Sequence, residues 1–170
     1  NGSAWTEVND LNNGGGQVTC GPTGTYTDTI TAGRGTSNWQ TNSESWNGSS
    51  WTETADLNTA RRACGAGGAS STNSLVAGGN VPPNNATDVT ESWDGTSWTE
   101  VADLSIARYG LGGQGSSTSS IAFGGNNPSD AMSDATEEWS FSGIQPTDPA
   151  AGYADAIIGD FYYNSTTGQF

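Results

Sequence analysis

The chain contains no histidine and no lysine, and its only cationic side chains are four arginines among 170 residues. Without imidazole, neither a Ser-His-Asp nor a Cys-His nucleophile can be assembled, and a histidine-bound copper site is excluded as well. Without a lysine amine, Schiff-base chemistry on a side chain is excluded. No nucleotide-binding or calcium-binding loop pattern is present. We therefore predict a protein that is not an enzyme, with no catalytic residues, no cofactor and no metal.

Basic charge is scarce, since eighteen acidic residues face the four arginines and give a formal net charge of −14 at pH 7. Phosphate contacts need lysine and arginine, so this balance predicts no binding to nucleic acid or to anionic lipid. It favours an acidic surface that keeps molecules apart in solution, with a specific cationic partner as the alternative. No apolar run approaches the roughly 20 residues that span a bilayer, so no membrane insertion is predicted.

What the chain does have is repetition. Residues 44–57 read ESWNGSSWTETADL, and residues 91–104 read ESWDGTSWTEVADL, 47 positions later. A partial copy, NGSAWTEVNDL, opens the chain at Asn1, and another begins as EEW at Glu137. A period of 46–47 residues is typical of an array of supersecondary units that bury their apolar faces against one another. The start within a repeat predicts a processed product or a piece of a longer chain.

Each unit contains four short strands separated by turn signals. In residues 58–104, apolar SLVAGG ends in a glycine pair and DVTESW alternates. The Asn-Gly at 47–48 and the Asp-Gly at 94–95 predict tight turns in which both central residues adopt positive φ. No stripe with the helical period appears in 1–141. The sequence predicts an all-β fold of four-stranded antiparallel propeller blades, about three of which are present.

This order of features resembles the kelch repeat, and the resemblance covers about 1–141. It runs from small residues and arginine through an apolar strand with a glycine pair, a variable loop and an acidic-aromatic strand to a tight turn and Trp-Thr-Glu-Val-Ala-Asp-Leu. The glycine pairs are Gly78-Gly79 and Gly124-Gly125. The tryptophans at the family's late tryptophan position are Trp5, Trp51 and Trp98, whereas Trp46, Trp93 and Trp139 stand where the family often has tyrosine. The resemblance implies a kelch-like β-propeller.

Residues 142–170 leave the repeat. Pro146 and Pro149 predict a linker, and IIGDFYY followed by NSTTG predicts a C-terminal β-hairpin that serves as an attachment segment. The GDFYYN motif at 159–164 resembles a segment of phage tail-fibre and appendage proteins, and the repeats resemble those of marine cyanophage virion proteins. The resemblance implies a location in the virion and a homo-oligomer whose partners are other virion proteins and a host-surface glycan or protein.

Few side chains stand out as a site. Trp39 falls in a loop outside the repeat pattern, so we predict it as a ligand contact, whereas the recurring tryptophans are predicted to pack between blades. Glu53 and Glu100 are the carboxylates to consider as an acid/base pair, but their equivalent repeat positions predict blade surface. The acidic loop around Asp130 and Asp134 leaves a weak cation site as an alternative.

Recurring arginine and cysteine have structural interpretations. Arg61 and Arg108 are predicted to pair with backbone or acidic groups between blades rather than with a ligand. The first unit lacks this arginine, and Arg34 interrupts its second glycine pair. Cys20 and Cys64 occupy matching places in successive units, where neighbouring strands are expected to diverge beyond disulfide reach, so we predict two reduced cysteines that say little about the redox compartment.

Propellers typically close with four to eight blades, more than the three units seen here. Further blades before Asn1 are the favoured solution, and a ring shared by several chains or an open arc are the alternatives. The strand after Asn1 also matches the one missing from the last unit. We expect a non-enzymatic structural or adhesion protein of a phage tail fibre, spike or capsid appendage. A microbial extracellular adhesin or filament subunit at the cell surface, or a kelch-type interaction adaptor, is the alternative.

Overall fold

A computed structural model describes residues 4–14, 18–35 and 38–140. Within these ranges the chain forms eleven β-strands and no helix. The strands form three antiparallel sheets of four, four and three strands, which confirms the all-β prediction and its antiparallel pairing. The linker and hairpin predicted at 142–170 lie outside the described residues. A propeller ring and its blade count stay predictions.

Each sheet is built from strands that follow one another in the sequence. Sheet A contains β1 (Val18–Thr25), β2 (Asp28–Arg34), β3 (Gln40–Trp46) and β4 (Trp51–Glu53). Sheet B contains β5 (Gly65–Ser70), β6 (Asn73–Val81), β7 (Asn85–Trp93) and β8 (Trp98–Glu100). Sheet C contains β9 (Gly112–Gly115), β10 (Ser119–Phe123) and β11 (Thr136–Ser140). The sheets therefore follow the sequence recurrence, as predicted.

The turns that end β3 and β7 differ in detail from the prediction. Gly48 and Gly95 both have a φ of +92°, but Asn47 and Asp94 do not adopt positive φ. Instead, the side-chain oxygen of Asn47 accepts hydrogen bonds from the backbone N–H groups of residues 49 and 50, each at 2.9 Å. Asp94 Oδ1 accepts the equivalent pair at 2.8 and 2.9 Å. Both turns are therefore four-residue loops closed by an Asx side chain, and glycine alone takes the left-handed conformation.

The three sheets stand side by side through their first strands, with β1 next to β5 and β5 next to β9. The apolar core between sheets A and B contains both cysteines. It also contains side chains from β2, from β6 to β8 and from the segment that connects β4 to β5. Its other buried members are Ile30, Ala32, Leu57, Val76, Trp93 and Trp98. Polar links supplement this thin core, since Asp28 Oδ1 accepts the backbone N–H of Ser71 at 2.9 Å. Asn73 Oδ1 accepts that of Ser117 at 3.2 Å between sheets B and C.

The two cysteines form a disulfide, which contradicts the prediction of reduced thiols. Cys20 lies on β1 and Cys64 immediately precedes β5, and the two residues form an isolated parallel bridge with Cα atoms 4.6 Å apart. The expectation of diverging strands was wrong for these positions because Cys20 lies on the first strand of sheet A and Cys64 adjoins the first strand of sheet B. First strands are where neighbouring sheets lie closest, so the disulfide links sheet A to sheet B.

The N-terminal segment does not form the strand that its sequence predicts. Residues 4–14 carry no strand, and Trp5 is fully exposed. Asn9 Nδ2 donates to the carbonyl of Ser49 at 2.8 Å, and Asn12 Nδ2 donates to that of Trp51 at 2.8 Å. The segment is therefore held against the outer strand of sheet A from Asn9 onward.

Candidate functional site

Trp39 lies in the loop between β2 and β3, as predicted, and is half-buried. Its Nε1 donates a hydrogen bond to Asn80 Oδ1 at 2.9 Å, and Asn80 lies near the end of β6 in the next sheet. The guanidinium carbon of Arg62 is 5.0 Å from the centre of the Trp39 ring. This stacking satisfies the distance for a cation–π contact. The ring is thus held in place by two residues from outside its own loop.

Arg62 joins the loops of two sheets. Its backbone N–H donates to the carbonyl of Asn80 at 3.0 Å, and the backbone N–H of Asn80 donates to the carbonyl of Arg62 at 2.7 Å. Its guanidinium donates to the carbonyl of Gly35 at 3.3 Å and to Asn84 Oδ1 at 3.4 Å. Gly35 begins the loop that carries Trp39, whereas Asn84 belongs to the exposed turn between β6 and β7. We call Trp39, Arg62, Asn80 and Asn84 the rim cluster.

The chemistry of the rim cluster is that of a recognition surface. An indole ring, a guanidinium, the buried Asn80 carboxamide of β6 and the exposed Asn84 carboxamide converge at one end of sheets A and B, next to the exposed Pro82-Pro83 turn. Aromatic area with a few placed polar groups is the usual composition of a ligand site. Arginine in such a setting suits a carboxylate, and the exposed Asn84 carboxamide suits hydroxyl groups. The cluster can therefore contact a sugar ring or a polar protein loop.

The next sheet carries a different set of side chains at the equivalent rim position. Tyr109 and Asn126 follow Arg62 and Asn80 by 47 and 46 positions and exchange the same backbone hydrogen bonds, at 3.0 and 2.8 Å. The Tyr109 hydroxyl donates to Asp130 Oδ1 at 2.8 Å, while Asn126 Nδ2 donates to the same hydroxyl at 3.2 Å. The scaffold is repeated but the presented chemistry varies.

The acidic loop is not arranged as a metal site. Asp130 accepts the Tyr109 hydroxyl, and Asp134 is exposed in the same loop. Across the described ranges, no three His, Cys, Asp or Glu side chains gather closely enough to hold a metal ion. The weak cation site considered from the sequence therefore has no support from the geometry.

The recurring arginines pair with backbone and acidic groups, as predicted, but the prediction that these pairs lie between blades was wrong. Arg61 donates to Glu91 Oε1 at 2.6 Å and to the carbonyls of Gly78 at 3.2 Å and Val89 at 2.5 Å. Its buried position lowers its pKa, and Glu91 opposes that shift as its closest anionic neighbour. The partners lie within sheet B rather than in two different sheets.

The same arrangement recurs in sheet C with Arg108. It donates to Glu137 Oε1 at 2.7 Å and to the carbonyls of Gly124 at 2.9 Å and Ala135 at 2.7 Å. Each glutamate also accepts backbone N–H groups from the segment that enters its sheet, as Glu137 does from Ser105 at 2.6 Å. The arginine and the glutamate together therefore hold the segment that enters each sheet against that sheet.

The recurring tryptophans are structural too. Trp46, Trp93 and Trp139 each donate Nε1 to a carbonyl in the first turn of their own sheet, at 3.0, 2.8 and 2.8 Å. Trp98 packs between sheets A and B, as predicted for this class, and donates to Ser43 Oγ at 3.2 Å. Trp5 is the exception because it is fully exposed.

The two candidate carboxylates lie on the surface, as predicted. Glu53 and Glu100 are exposed on β4 and β8, opposite Glu44 and Glu91 in the strand register. They belong to different sheets and do not converge. No catalytic pair is formed by them.

Sequence reasoning predicted the loop position of Trp39 but missed the residues that contact it. Arg62 follows Arg61 directly, and it departs from the repeat because the next unit has Tyr109 at that place. The sequence did contain one signal for Arg62: it is a charged residue that does not recur in the next unit, and it stands beside Arg61, which does recur. Asn80 and Asn84 carried none, since asparagine is abundant throughout the chain.

Comparison of the sequence with protein-family models and with curated proteins finds no match. In the described part of the chain, no helix has the length and apolar character needed to cross a membrane.

Proposed function

We propose that the chain is a non-enzymatic structural and adhesion protein of a phage virion, a part of a tail fibre, spike or capsid appendage. The rim cluster binds a host-surface glycan or protein. The observation that carries the adhesion role is the convergence of Trp39, Arg62 and Asn80 from three separate segments at one end of neighbouring sheets. Such a surface presents recognition chemistry on loops supported by a repeated scaffold.

Kelch-like propeller architecture is part of the same proposal. Support comes from sheets whose first strands lie side by side and whose repeat positions make the same contacts in succession. In a propeller the connecting loops form a rim around the axis, where differing side chains are displayed together. The change from Arg62 to Tyr109 at equivalent positions fits a rim that has diverged for binding.

The virion location rests on the sequence resemblance of the repeats and of the GDFYYN motif. The disulfide between Cys20 and Cys64 supports a protein that works outside a reducing cytosol. Mass spectrometry of purified virions tests the location directly. Recovery of the protein in particles is expected, whereas its recovery only from microbial cell-surface fractions would favour a cellular adhesin or filament subunit.

The adhesion role is tested by binding to host cells and to a glycan array. Trp39→Ala is expected to reduce binding at least tenfold, because it removes the ring that Arg62 and Asn80 hold. Tyr26→Ala is the matched control, since Tyr26 is an exposed aromatic residue in the turn at the opposite end of sheet A. Equal binding by the wild type and both variants, with unfolding midpoints unchanged, would rule out the rim cluster as the contact surface.

A further inference from the structure

Trp98 fills the space between sheets A and B. It lies on β8, is only 5% exposed and donates Nε1 to Ser43 on sheet A at 3.2 Å. Its core neighbours come from both sheets and from the segment that connects them. Among them are Ile30, Ala32, Leu57, Val76 and Trp93.

A cleft between sheets B and C repeats this environment without the tryptophan. Its lining includes residues of sheets B and C that occupy the same strand positions as the neighbours of Trp98, including Ser43, occupy in sheets A and B. They are Leu75, Ala77, Thr90, Leu104, Ala122 and Trp139. In the strand register, Ala77 faces Thr90 as Ala32 faces Ser43, which fixes the correspondence. Leu104 is half-buried where its counterpart Leu57 is 3% exposed, so the cleft is open to solvent.

Within the described residues, sheet C has no counterpart of β8, the strand that carries this tryptophan in sheet B. In the described ranges, no strand pairs with the outer edge of β11. The consequence is visible at Glu137, whose side chain is 21% exposed, whereas those of Glu44 and Glu91 are fully buried. A strand edge that no described strand covers, with an apolar cleft beside it, is a site for strand addition.

The chain contains one unpaired copy of the missing strand. Residues 5–7 read Trp-Thr-Glu, as β4 and β8 do, and Trp5 is 104% exposed. In the two complete sheets this triplet pairs in one register, with Trp46 opposite Trp51 and Trp93 opposite Trp98. The same register on β11 places Trp5 opposite Trp139 and Thr6 opposite Glu138. Residues 141–170 contain no tryptophan and no such triplet.

We propose that residues 5–7 of a second copy of this chain add to β11 as the fourth strand of sheet C, with Trp5 inserted into the cleft between sheets B and C. Reciprocal exchange between two copies satisfies both open edges in one two-fold assembly. A second copy supplies the strand because Asn9 and Asn12 hold the N-terminal segment of the same chain against sheet A, whereas β11 belongs to sheet C on the far side of sheet B. The assembly does not depend on the adhesion role.

Mixed cysteine variants of the full chain test the exchange. Thr6→Cys and Glu138→Cys are made in separate chains that carry tags of different size, and the two are mixed, dissociated in mild urea, refolded together and oxidised. Since neither chain has both new cysteines, a disulfide between them forms only between copies. Ser45→Cys with Thr52→Cys in one chain is the positive control, because these residues face each other within sheet A. Ser140→Cys replaces Glu138→Cys as the out-of-register control.

The expected result is a disulfide-linked heterodimer from the 6 and 138 pair, little from the 6 and 140 pair, and dimer sedimentation of the wild-type chain. Trp5→Ala is expected to shift sedimentation toward the monomer while the unfolding midpoint of the isolated monomer stays unchanged. A monomeric wild type, or a disulfide that forms only when both cysteines are in one chain, would overturn the proposal. So would a β11 edge that is already protected from hydrogen exchange in the Trp5→Ala monomer, since residues 141–170 would then occupy it.

Discussion

The guanidinium of Arg34 lies 2.8 Å from Glu44 Oε1, and both side chains are buried. Arg34 also donates to the carbonyl of Asn13. Glu44 is the repeat equivalent of Glu91, yet its arginine comes from the second strand rather than from the segment that enters the sheet. The residue that interrupts the glycine pair of the first unit therefore supplies the ion pair that this unit otherwise lacks. A buried glutamate at this repeat position is paired with an arginine in both sheets, but in sheet A the arginine lies on β2 instead of in the entering segment.

Replacing Arg34 by leucine tests whether Arg34 stabilises sheet A as the partner of the buried Glu44. Arg34→Leu is expected to lower the free energy of unfolding by about 3 kcal/mol, because it leaves Glu44 buried without its cation. Arg62→Leu removes the same charge from the half-buried rim and is expected to cost about 1 kcal/mol through the lost stacking on Trp39. Urea unfolding of both variants provides the comparison. Equal losses would mean that Arg34 acts only through net charge.

Stability is expected to fall in acid because of the glutamates that hold the entering segments. Burial raises the pKa of Glu44, but N–H groups of Asn12 and Asn13 and the Arg34 guanidinium outweigh it and bring the pKa below its ordinary value. For Glu137, burial is likewise outweighed by hydrogen bonds from Ser105 and by Arg108, so its pKa is also lowered. A carboxylate whose pKa is lower in the folded chain stabilises fully above its unfolded pKa, about 4.3. That contribution disappears as the pH falls through the folded value.

Urea midpoints measured from pH 7 to pH 3 check this dependence. Glu44→Gln is expected to be less stable than wild type at pH 7 but to lose less stability on acidification. Glu53→Gln alters the same charge on an exposed strand position and is expected to retain the full acid loss. A Glu44→Gln profile parallel to that of the wild type would contradict the assignment.

The disulfide is expected to contribute about 2–4 kcal/mol to the free energy of unfolding, since it joins positions 44 residues apart and restricts the unfolded chain. Thiol titration of the unreduced, denatured protein should find no free thiol. The double variant Cys20→Ser, Cys64→Ser should match the reduced wild type in its urea midpoint. Two reactive thiols in the unreduced protein would restore the original prediction of packing cysteines.

Gly78 is expected to tolerate alanine poorly for two separable reasons. Its φ is +64°, and an added Cβ would lie 2.7 Å from the carbonyl oxygen of Arg108. Gly110 has nearly the same φ, +65°, but no atom within 4 Å of an added Cβ. Gly110→Ala therefore measures the backbone cost alone, about 1 kcal/mol, and Gly78→Ala is expected to cost about 1–3 kcal/mol more because the connecting segment must move. Thermal unfolding of the two variants gives the difference, and equal shifts would show that close approach is unimportant.

The sequence by itself determined the strands and their grouping. A recurrence of 46–47 residues with alternating and apolar segments predicts the strands of each unit, because period two and glycine-rich turns are local properties. The N-terminal copy is the exception, since residues 4–14 form no strand. The structural roles of Arg61, Arg108 and Trp98 followed from the same recurrence, although only Trp98 packs where two sheets meet and the two arginines pair within one unit. The loop position of Trp39 followed from its departure from the pattern.

Tertiary structure decided what depends on distance between units. It brought Cys20 to Cys64 because the first strands of neighbouring sheets lie side by side. It delivered Arg34 to Glu44 from an unforeseen strand, and it placed Arg62 and Asn80 on the ring of Trp39. It also left Trp5 exposed and, among the described residues, a cleft between sheets B and C lined by the equivalents of the Trp98 core. Spacing along a chain fixes which residues are equivalent, whereas contact between equivalents depends on how the sheets are set beside each other in space.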